Sequence, residues 1–517
     1  MNGLRHQYGS DRLCARMAAA MPGRHTAPAA TAAPTPLTPQ LHRREVSMRT
    51  HRRCSVSAKA APSTTRQASP QVTTRGSGPT TRGGSPARTT GKGTLTKSGS
   101  QLANKERPEK RPSQFYAFIT GFPFPLGPAF QRKTVRYEVE RGTIWTFEQT
   151  QALELFDVYT PVRMTVIKLK SGGLWVHAPV APTEECVRLV KELGAPVEYI
   201  VLPTFAYEHK AFVGPFSRQF PKAKVYVSPY QWSFPLNLPP QFFGIFPAGE
   251  LKSDDPDTPW ADEIEQKVFL PPSIGVGDFV RFCEVAFFHK RSRTLLVTDA
   301  VLYVDQQPPD IIPVPSLLEL ARDNLLARFV AGGRTAQEVK EIARPEPVED
   351  TPANRRRGWM RMALLVLYFS PSDLLDPEES FRAISNRLFV GPVVELLVYN
   401  KVLPYVRAWV DDIVSSWNFR QIIPCHFAAP VKADPLDFKR AFTFAYQGQQ
   451  DQEEDERSNA ATTPTGPLSF LTSLFGPKSS STKLTRPVVF PEADVRALNA
   501  LNDGLLRFKL VKPNADK

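Results

Sequence analysis

Apolar and polar residues alternate over 163–170, with Met164, Val166 and Leu169 on the apolar side, which predicts a strand. Ser171-Gly172-Gly173 supplies a tight turn, and Leu174-Trp175-Val176 returns as a second strand. The pattern then changes to a helix opened by Pro182-Thr183. Thr183 can cap the first amides, Val187, Val190 and Leu193 share a face, and Gly194 ends it. Residues 199–202 form a short apolar run and read as a buried strand. A loop over 203–210, a short helix and a strand over 224–227 follow.

From 228 to 272 the chain is dense in Pro and aromatic residues and loses its periodicity. Residues 279–288 and 294–298 read as a hairpin across the basic turn Lys290-Arg291-Ser292-Arg293, stopping at Asp299. Residues 314–420 read as mostly helical. Val393, Leu396, Leu397, Leu403, Val406, Trp409 and Ile413 follow helical spacing, with Pro404 a kink or break. Ile422-Ile423 is a last short strand that stops at His426. After an acidic and then Ser/Thr/Pro-rich stretch, Val495, Leu498, Leu501, Leu505 and Phe508 form one helical stripe. No internal repeat is visible at periods of 20–50 residues.

Charge changes the picture of the first hundred residues. The 517-residue chain has 65 Lys+Arg and 51 Asp+Glu, of which 17 basic residues and only Asp11 and Glu45 fall within 1–105. The net charge of +14 therefore belongs to this tail, and the remainder is near-neutral. Without a clustered basic face the folded part is not expected to bind nucleic acid. The tail has too few large apolar residues to offset its ordering entropy, so disorder is expected. Its basic, hydroxylated, acid-poor composition also fits an organelle transit peptide over 1–58, followed by a disordered linker over 59–110. The chloroplast is the expected destination and the mitochondrion the second choice. A disordered regulatory arm is the alternative.

The main domain is expected over 111–446 with its helical insertion at about 314–420. A flexible acidic and Ser-rich insertion over 447–485 and a C-terminal helix over 486–517, docking on the core, complete the chain. Cys186, Cys283 and Cys425 lie outside the tail, and with no CxxC pair neither a disulfide framework nor a cysteine zinc site is indicated. The longest apolar candidate, 360–369 with Arg361 inside it, is too short to span a bilayer, so no transmembrane segment is expected and the protein should be soluble.

Three polar positions each follow an apolar strand: Glu208-His209, Asp299 and His426. Strand-end loops are where a rigid sheet presents ligands or catalytic groups. Two imidazoles and two carboxylates together suit a divalent ion such as zinc, iron or manganese. Taken singly, a histidine beside a strand is more often a hydrogen-bonded structural residue, and a strand-end Asp usually satisfies nearby amides.

The order of these elements resembles the metallo-β-lactamase superfamily, whose fold is an αββα sandwich and whose signature loop reads Thr-His-x-His-x-Asp-His. In Thr204-Phe205-Ala206-Tyr207-Glu208-His209 the Thr and the last His are kept and Glu replaces Asp. The family's bridging Asp resembles Asp299 in Leu295-Leu296-Val297-Thr298-Asp299, and its final His resembles His426 in Ile423-Pro424-Cys425-His426. Phe205 and Tyr207 replace the first two histidines, and a gapless count puts Val280 at the middle one, so the first metal site is lost. Val176-His177-Ala178 stands in place of an early strand-end Asp. The second metal's ligands correspond to Glu208, His209 and His426, with Asp299 beside them.

More closely, the chain resembles an uncharacterised family of plants, algae and cyanobacteria assigned to this superfamily. The carrying segments include Thr143-Ile144-Trp145-Thr146-Phe147-Glu148-Gln149, Arg163-Met164-Thr165-Val166, Glu208-His209-Lys210 and Pro229-Tyr230-Gln231-Trp232-Ser233-Phe234-Pro235. The resemblance implies an α/β (α+β) metallo-β-lactamase-like αββα sandwich with a helical insertion. Two functions follow. One is a plastid hydrolase with a single metal on Glu208, His209, Asp299 and His426, in which Glu208 and Asp299 are the catalytic carboxylates. The other is a metal-free derivative that binds a small molecule or a protein partner. The aromatics Trp232, Phe234, Phe242, Phe243 and Phe246 read as an irregular loop packed over the sheet, the alternative being a ligand groove or partner surface. Arg355-Arg356-Arg357 reads as a solvated face, and Cys425 as an inert thiol.

Overall fold

Two strands precede the alternating segment that the sequence makes visible: β1 (Val135–Glu140) and β2 (Ile144–Leu153). In β1 the charged residues Arg136, Glu138 and Glu140 alternate with Val135, Tyr137 and Val139, but neither face is fully buried, so the apolar signal is weak. Gly142, at φ +64°, makes the turn between them. β2 pairs with β3 (Val158–Lys168) along its whole length, from Ile144 opposite Ile167 to Leu153 opposite Val158. The structure, a computed structural model, describes residues 111–116, 131–153, 158–232, 237–275, 281–323, 348–447 and 489–514. The segments expected over 1–58, 59–110 and, apart from Gln447, 447–485 lie outside these residues, as do Phe234, Phe279 and Val280.

The first sheet continues through β4 (Leu174–His177), β5 (Val197–Leu202), β6 (Lys224–Val227) and β7 (Gly249–Glu250), in the order β1 to β7. Strands β1 to β4 are antiparallel neighbours, whereas β4 to β7 run parallel. Parallel neighbours need crossovers, and α1 (Glu184–Lys191) and α2 (Tyr207–Gln219) supply two of them. Thr183 caps α1 by accepting the Cys186 amide, and Gly194, at φ +68°, follows its end. The second sheet has the order β14-β13-β10-β9-β8, built from β8 (Ile264–Phe269), β9 (Glu284–His289), β10 (Thr294–Leu296), β13 (Gln421–Ile423) and β14 (Val431–Lys432). β8 escapes the sequence reading because Gln266 and Lys267 interrupt its apolar pattern. Both are buried, Gln266 bonding Trp260 Nε1 and Lys252 O, Lys267 bonding Asp412 at 2.8 Å.

Side-chain alternation sorts the core into layers. Ile144, Ile167, Trp175 and Val201 of the first sheet meet Ile264, Val285, Phe287, Leu296 and Ile423 of the second. The opposite face of the first sheet, with Val166, Val176, Ile200 and Val225, is covered by Val190 of α1 and by Val213 and Phe216 of α2. The far face of the second, with Phe288, Leu295 and Ile422, meets Val406, Trp409, Val410 and Ile413. This is an αββα sandwich, the fold class expected from the sequence.

Between the sheet strands β10 and β13 lie β11 (Leu302–Tyr303), paired with β12 (Leu388–Phe389), and the helices α3 (Val314–Ala321), α4 (Pro352–Tyr368), α5 (Glu378–Ile384), α6 (Pro392–Leu397) and α7 (Leu403–Ser416). Pro404 stands in the first turn of α7, where its missing N–H costs nothing, so the helical stripe over 393–413 is two helices. α3 and α4 touch closely: a Cβ on Gly358 would lie 1.9 Å from Leu317 O. Buried Arg361 of α4 donates to the carbonyls of Leu320, Ala321 and Arg322 at the end of α3. The expected solvated face is an ion-paired one, Arg355 with Asp350, Arg356 with Glu378 and Arg357 with Asp323. After α8 (Pro435–Ala441), the C-terminal stripe forms α9 (Glu492–Arg507). Of the stripe, Val495 and Leu498 are buried, Val495 in the insertion's own core, while Leu501 and Phe508 face outward. Among the described residues no helix is long and apolar enough to cross a membrane.

Candidate metal centre

The three polar positions do not directly follow their strands. Glu208 and His209 belong to the first turn of α2, not to a loop. α2 runs through Gly214 and Pro215, and Gly214 lets it approach Phe243 O. Thr204, ahead of the helix, pairs with Glu284 across the two sheets, and its hydroxyl accepts the Ala206 amide at 3.2 Å. β10 ends at Leu296 and β13 at Ile423, so Asp299 and His426 each sit three residues beyond, in neighbouring turns of parallel strands.

Glu208, His209, Asp299 and His426 nevertheless converge: one ligand atom from each lies within 4.8 Å of those of the other three. His209 is fully buried, and neither of its ring nitrogens has a hydrogen-bond partner. Its ring centroid is 5.3 Å from that of His426. Burial, with His426 and His177 nearby, holds its pKa well below the usual histidine range. A buried imidazole with no partner for either nitrogen is a costly arrangement unless something binds it.

His426 Nδ1 lies 3.0 Å from Pro161 O. A carbonyl only accepts, so Nδ1 carries the proton and Nε2 presents its lone pair. That lone pair faces Asp299 Oδ1 at 3.3 Å. Burial lowers the His426 pKa and raises that of Asp299 to about 6. Glu208 is raised by burial first and by the Asp299 charge second, and His426 opposes this. Two carboxylates and two imidazoles are thus drawn together with their acceptor atoms inward.

Glu284 is a residue of this neighbourhood that sequence reasoning missed. It is fully buried, and its Oε1 accepts the amides of Thr298, Asp299 and Ala300 at 2.8, 3.2 and 3.1 Å. Burial and Asp299 push its pKa up to about 8, against the amides. An acid inside the run Phe282-Cys283-Glu284-Val285-Ala286-Phe287-Phe288 was the available signal. Phe205 and Tyr207 offer no ligand and pack elsewhere, Phe205 on Phe282 at 5.7 Å and Tyr207 on Phe243 at 6.1 Å. His177 closes β4 fully buried, 3.9 Å from Cys425 Sγ, and burial lowers its pKa to about 3. The Cys425 thiol is buried and its pKa well raised, as an inert thiol's would be.

Residues 141–379 and 374–444, more than half of the chain, match the family described as a domain of unknown function, DUF4336. The chain belongs to the DUF4336 family. No curated protein matches it. Solved structures similar to this DUF4336 chain include the metal-soaked Flv1 flavodiiron core from Synechocystis sp. PCC6803, 10% identical with a TM-score of 0.32, the match covering 62% of each chain. It thus spans less than two thirds of Flv1. A fragment of a diflavin flavoprotein from Nostoc sp. PCC 7120 is 10% identical with a TM-score of 0.32, covering 62% of this chain and 99% of that one. TMB-1, a protein studied for substrate and inhibitor binding, is 8% identical with a TM-score of 0.30, covering 61% and 98%. At this level of similarity no reaction carries over from any of them.

Proposed function

We propose that the chain is a plastid hydrolase with one divalent metal, zinc, iron or manganese, held by His209, Asp299 and His426 with Glu208 as a further ligand or as base. The observation that supports it most is the confrontation of His426 Nε2 with Asp299 Oδ1 at 3.3 Å, beside a buried His209 with no partner for either nitrogen. The His426 Nε2 lone pair and the Asp299 carboxylate repel unless a cation or a proton lies between them. The donor set fits a borderline divalent ion. When bound, such an ion polarises a substrate carbonyl or phosphoryl oxygen and lowers the pKa of its water. The residues supply the rest. Pro161 O fixes the His426 tautomer, Glu284 fixes the Asp299 turn, and Glu208, its pKa raised, is suited to take a proton on its carboxylate.

A second reading has one observation in its favour. Asp299, with its pKa near 6, can carry a proton that it donates to His426 Nε2, leaving a metal-free cleft for a small molecule or protein partner. Elemental analysis of the full chain, purified without a histidine tag or chelator, separates the two. We expect about one zinc, iron or manganese per chain, lost in both His209→Ala and His426→Ala. The comparison with variants is needed because His6, His25, His42 and His51 lie in the tail and can bind metal adventitiously. Metal content that is equal in all three folded proteins would rule out the metal reading.

A further inference from the structure

Strand β3 belongs to the first sheet, yet three of its consecutive residues hold the loop that carries His426 from the second. Pro161 O receives the His426 Nδ1 proton at 3.0 Å, and Val162 pairs with His426 in an antiparallel bridge. Arg163 Nη1 donates to Pro424 O at 2.6 Å and its Nη2 to Phe427 O, so that one guanidinium grips the backbone on both sides of Cys425 and His426. Its Nε donates to Glu148 Oε1 of β2 at 2.8 Å, and Nη2 lies 2.7 Å from the same oxygen. Arg163 is 1% exposed.

Stability alone does not account for this arrangement. Burying an arginine and a glutamate costs desolvation that their attraction barely repays, and an apolar pair of similar volume would pack as well. What an apolar pair cannot do is fix two carbonyls at once. The 424–427 turn is irregular, with Phe427 in the left-handed region at φ +55°, where a non-glycine residue is held only by its surroundings. Apart from Arg163 and the His426–β3 contacts, its backbone is held by the Cys425 amide on Thr298 O at 3.3 Å and the following Ala428 amide on Tyr303 O at 2.9 Å. The planar fork of arginine supplies a geometry that lysine lacks.

We propose that Arg163, aligned by Glu148, is the positioning residue of the candidate metal centre, holding the 424–427 turn so that His426 Nε2 points at Glu208, His209 and Asp299. The proposal rests on reading that cluster as a metal centre, but its first test does not. Full chain carrying 15N-labelled histidine is examined without metal by long-range 1H–15N spectra at pH 7.5, His426 being assigned by its absence in His426→Gln. Wild type should show His426 as the Nδ1–H tautomer. Arg163→Lys, which keeps the cation and most of the stem, should replace that signal by a mixture of tautomers or an exchange-broadened resonance, while His289 is unmoved. The zinc Kd should then weaken roughly 10–100-fold, as for lost outer-shell partners of other metal ligands. Glu148→Gln, which keeps an acceptor for Nε, should show the same changes to a smaller extent and carries the test if Arg163→Lys does not fold. A wild-type His426 signal together with an unchanged zinc Kd in the folded variants would overturn the proposal. If wild type binds no zinc at the cluster but the tautomer moves as expected, the positioning role stands and the metal reading falls.

Discussion

Glu284 shows how much a single buried acceptor can carry. Three amides of the Asp299 turn converge on its Oε1, and the protein lends them no other partner. Removing the carboxyl leaves buried donors unpaired at about 1–3 kcal/mol each. Glu284→Ala should therefore lower stability by on the order of 3 kcal/mol or more. Glu284→Gln, whose amide oxygen can accept the same bonds, should stay within about 1 kcal/mol of wild type. Urea unfolding followed by tryptophan fluorescence measures both, and an alanine variant as stable as the glutamine one would contradict the assigned role. At this scale the sequence was readable where chemistry is carried by rare residues. Glu208, His209, Asp299 and His426 could be singled out because each interrupts an apolar context. Glu284 carried the same sign, an acid inside an apolar run, and was passed over. Pro161 and Arg163 could not be singled out, since their contribution is a carbonyl or a fork aimed across two sheets, and such contacts join positions as far apart as Arg163 and Phe427.

At the scale of elements, β3 to β6, α1 and the C-terminal helix were located by alternation, by a short apolar run or by helical spacing of their apolar residues. β1, β2 and β8 were missed where charge or buried polar residues broke such a pattern. α2 begins at Tyr207, inside the segment 203–210 that reads as a loop. The α3–α4 contact permits a sharper test of packing. Ala is favoured over Gly in a helix by about 1 kcal/mol, but a Cβ at Gly358 meets the Leu317 carbonyl at 1.9 Å, and backbone cannot step aside as a side chain can. Overpacking of this kind costs about 1–3 kcal/mol, so Gly358→Ala should lower the thermal midpoint in spite of its propensity gain. A midpoint at or above that of wild type would mean that the two helices separate freely.

For the whole molecule, the charge is divided as sharply as the function proposed for it. The excess of basic residues lies in the first 105, and the sandwich that follows is near-neutral. The plastid address is proposed from that composition, and it predicts that residues 1–58 fused to a fluorescent protein enter chloroplasts in plant or algal cells. Mitochondrial or cytosolic fluorescence would refute it. The layering of the sandwich has a further implication for how the protein is made. Glu208 and His209 emerge early in synthesis, but β13 joins the second sheet as the parallel neighbour of β10 only after the intervening helices have been translated. A nascent chain halted before residue 421 contains every strand of the first sheet and its outer helices, yet it lacks His426 and the strand that places it. A truncated product therefore keeps Glu208, His209 and Asp299, three of the four donors, with no means of bringing in the fourth.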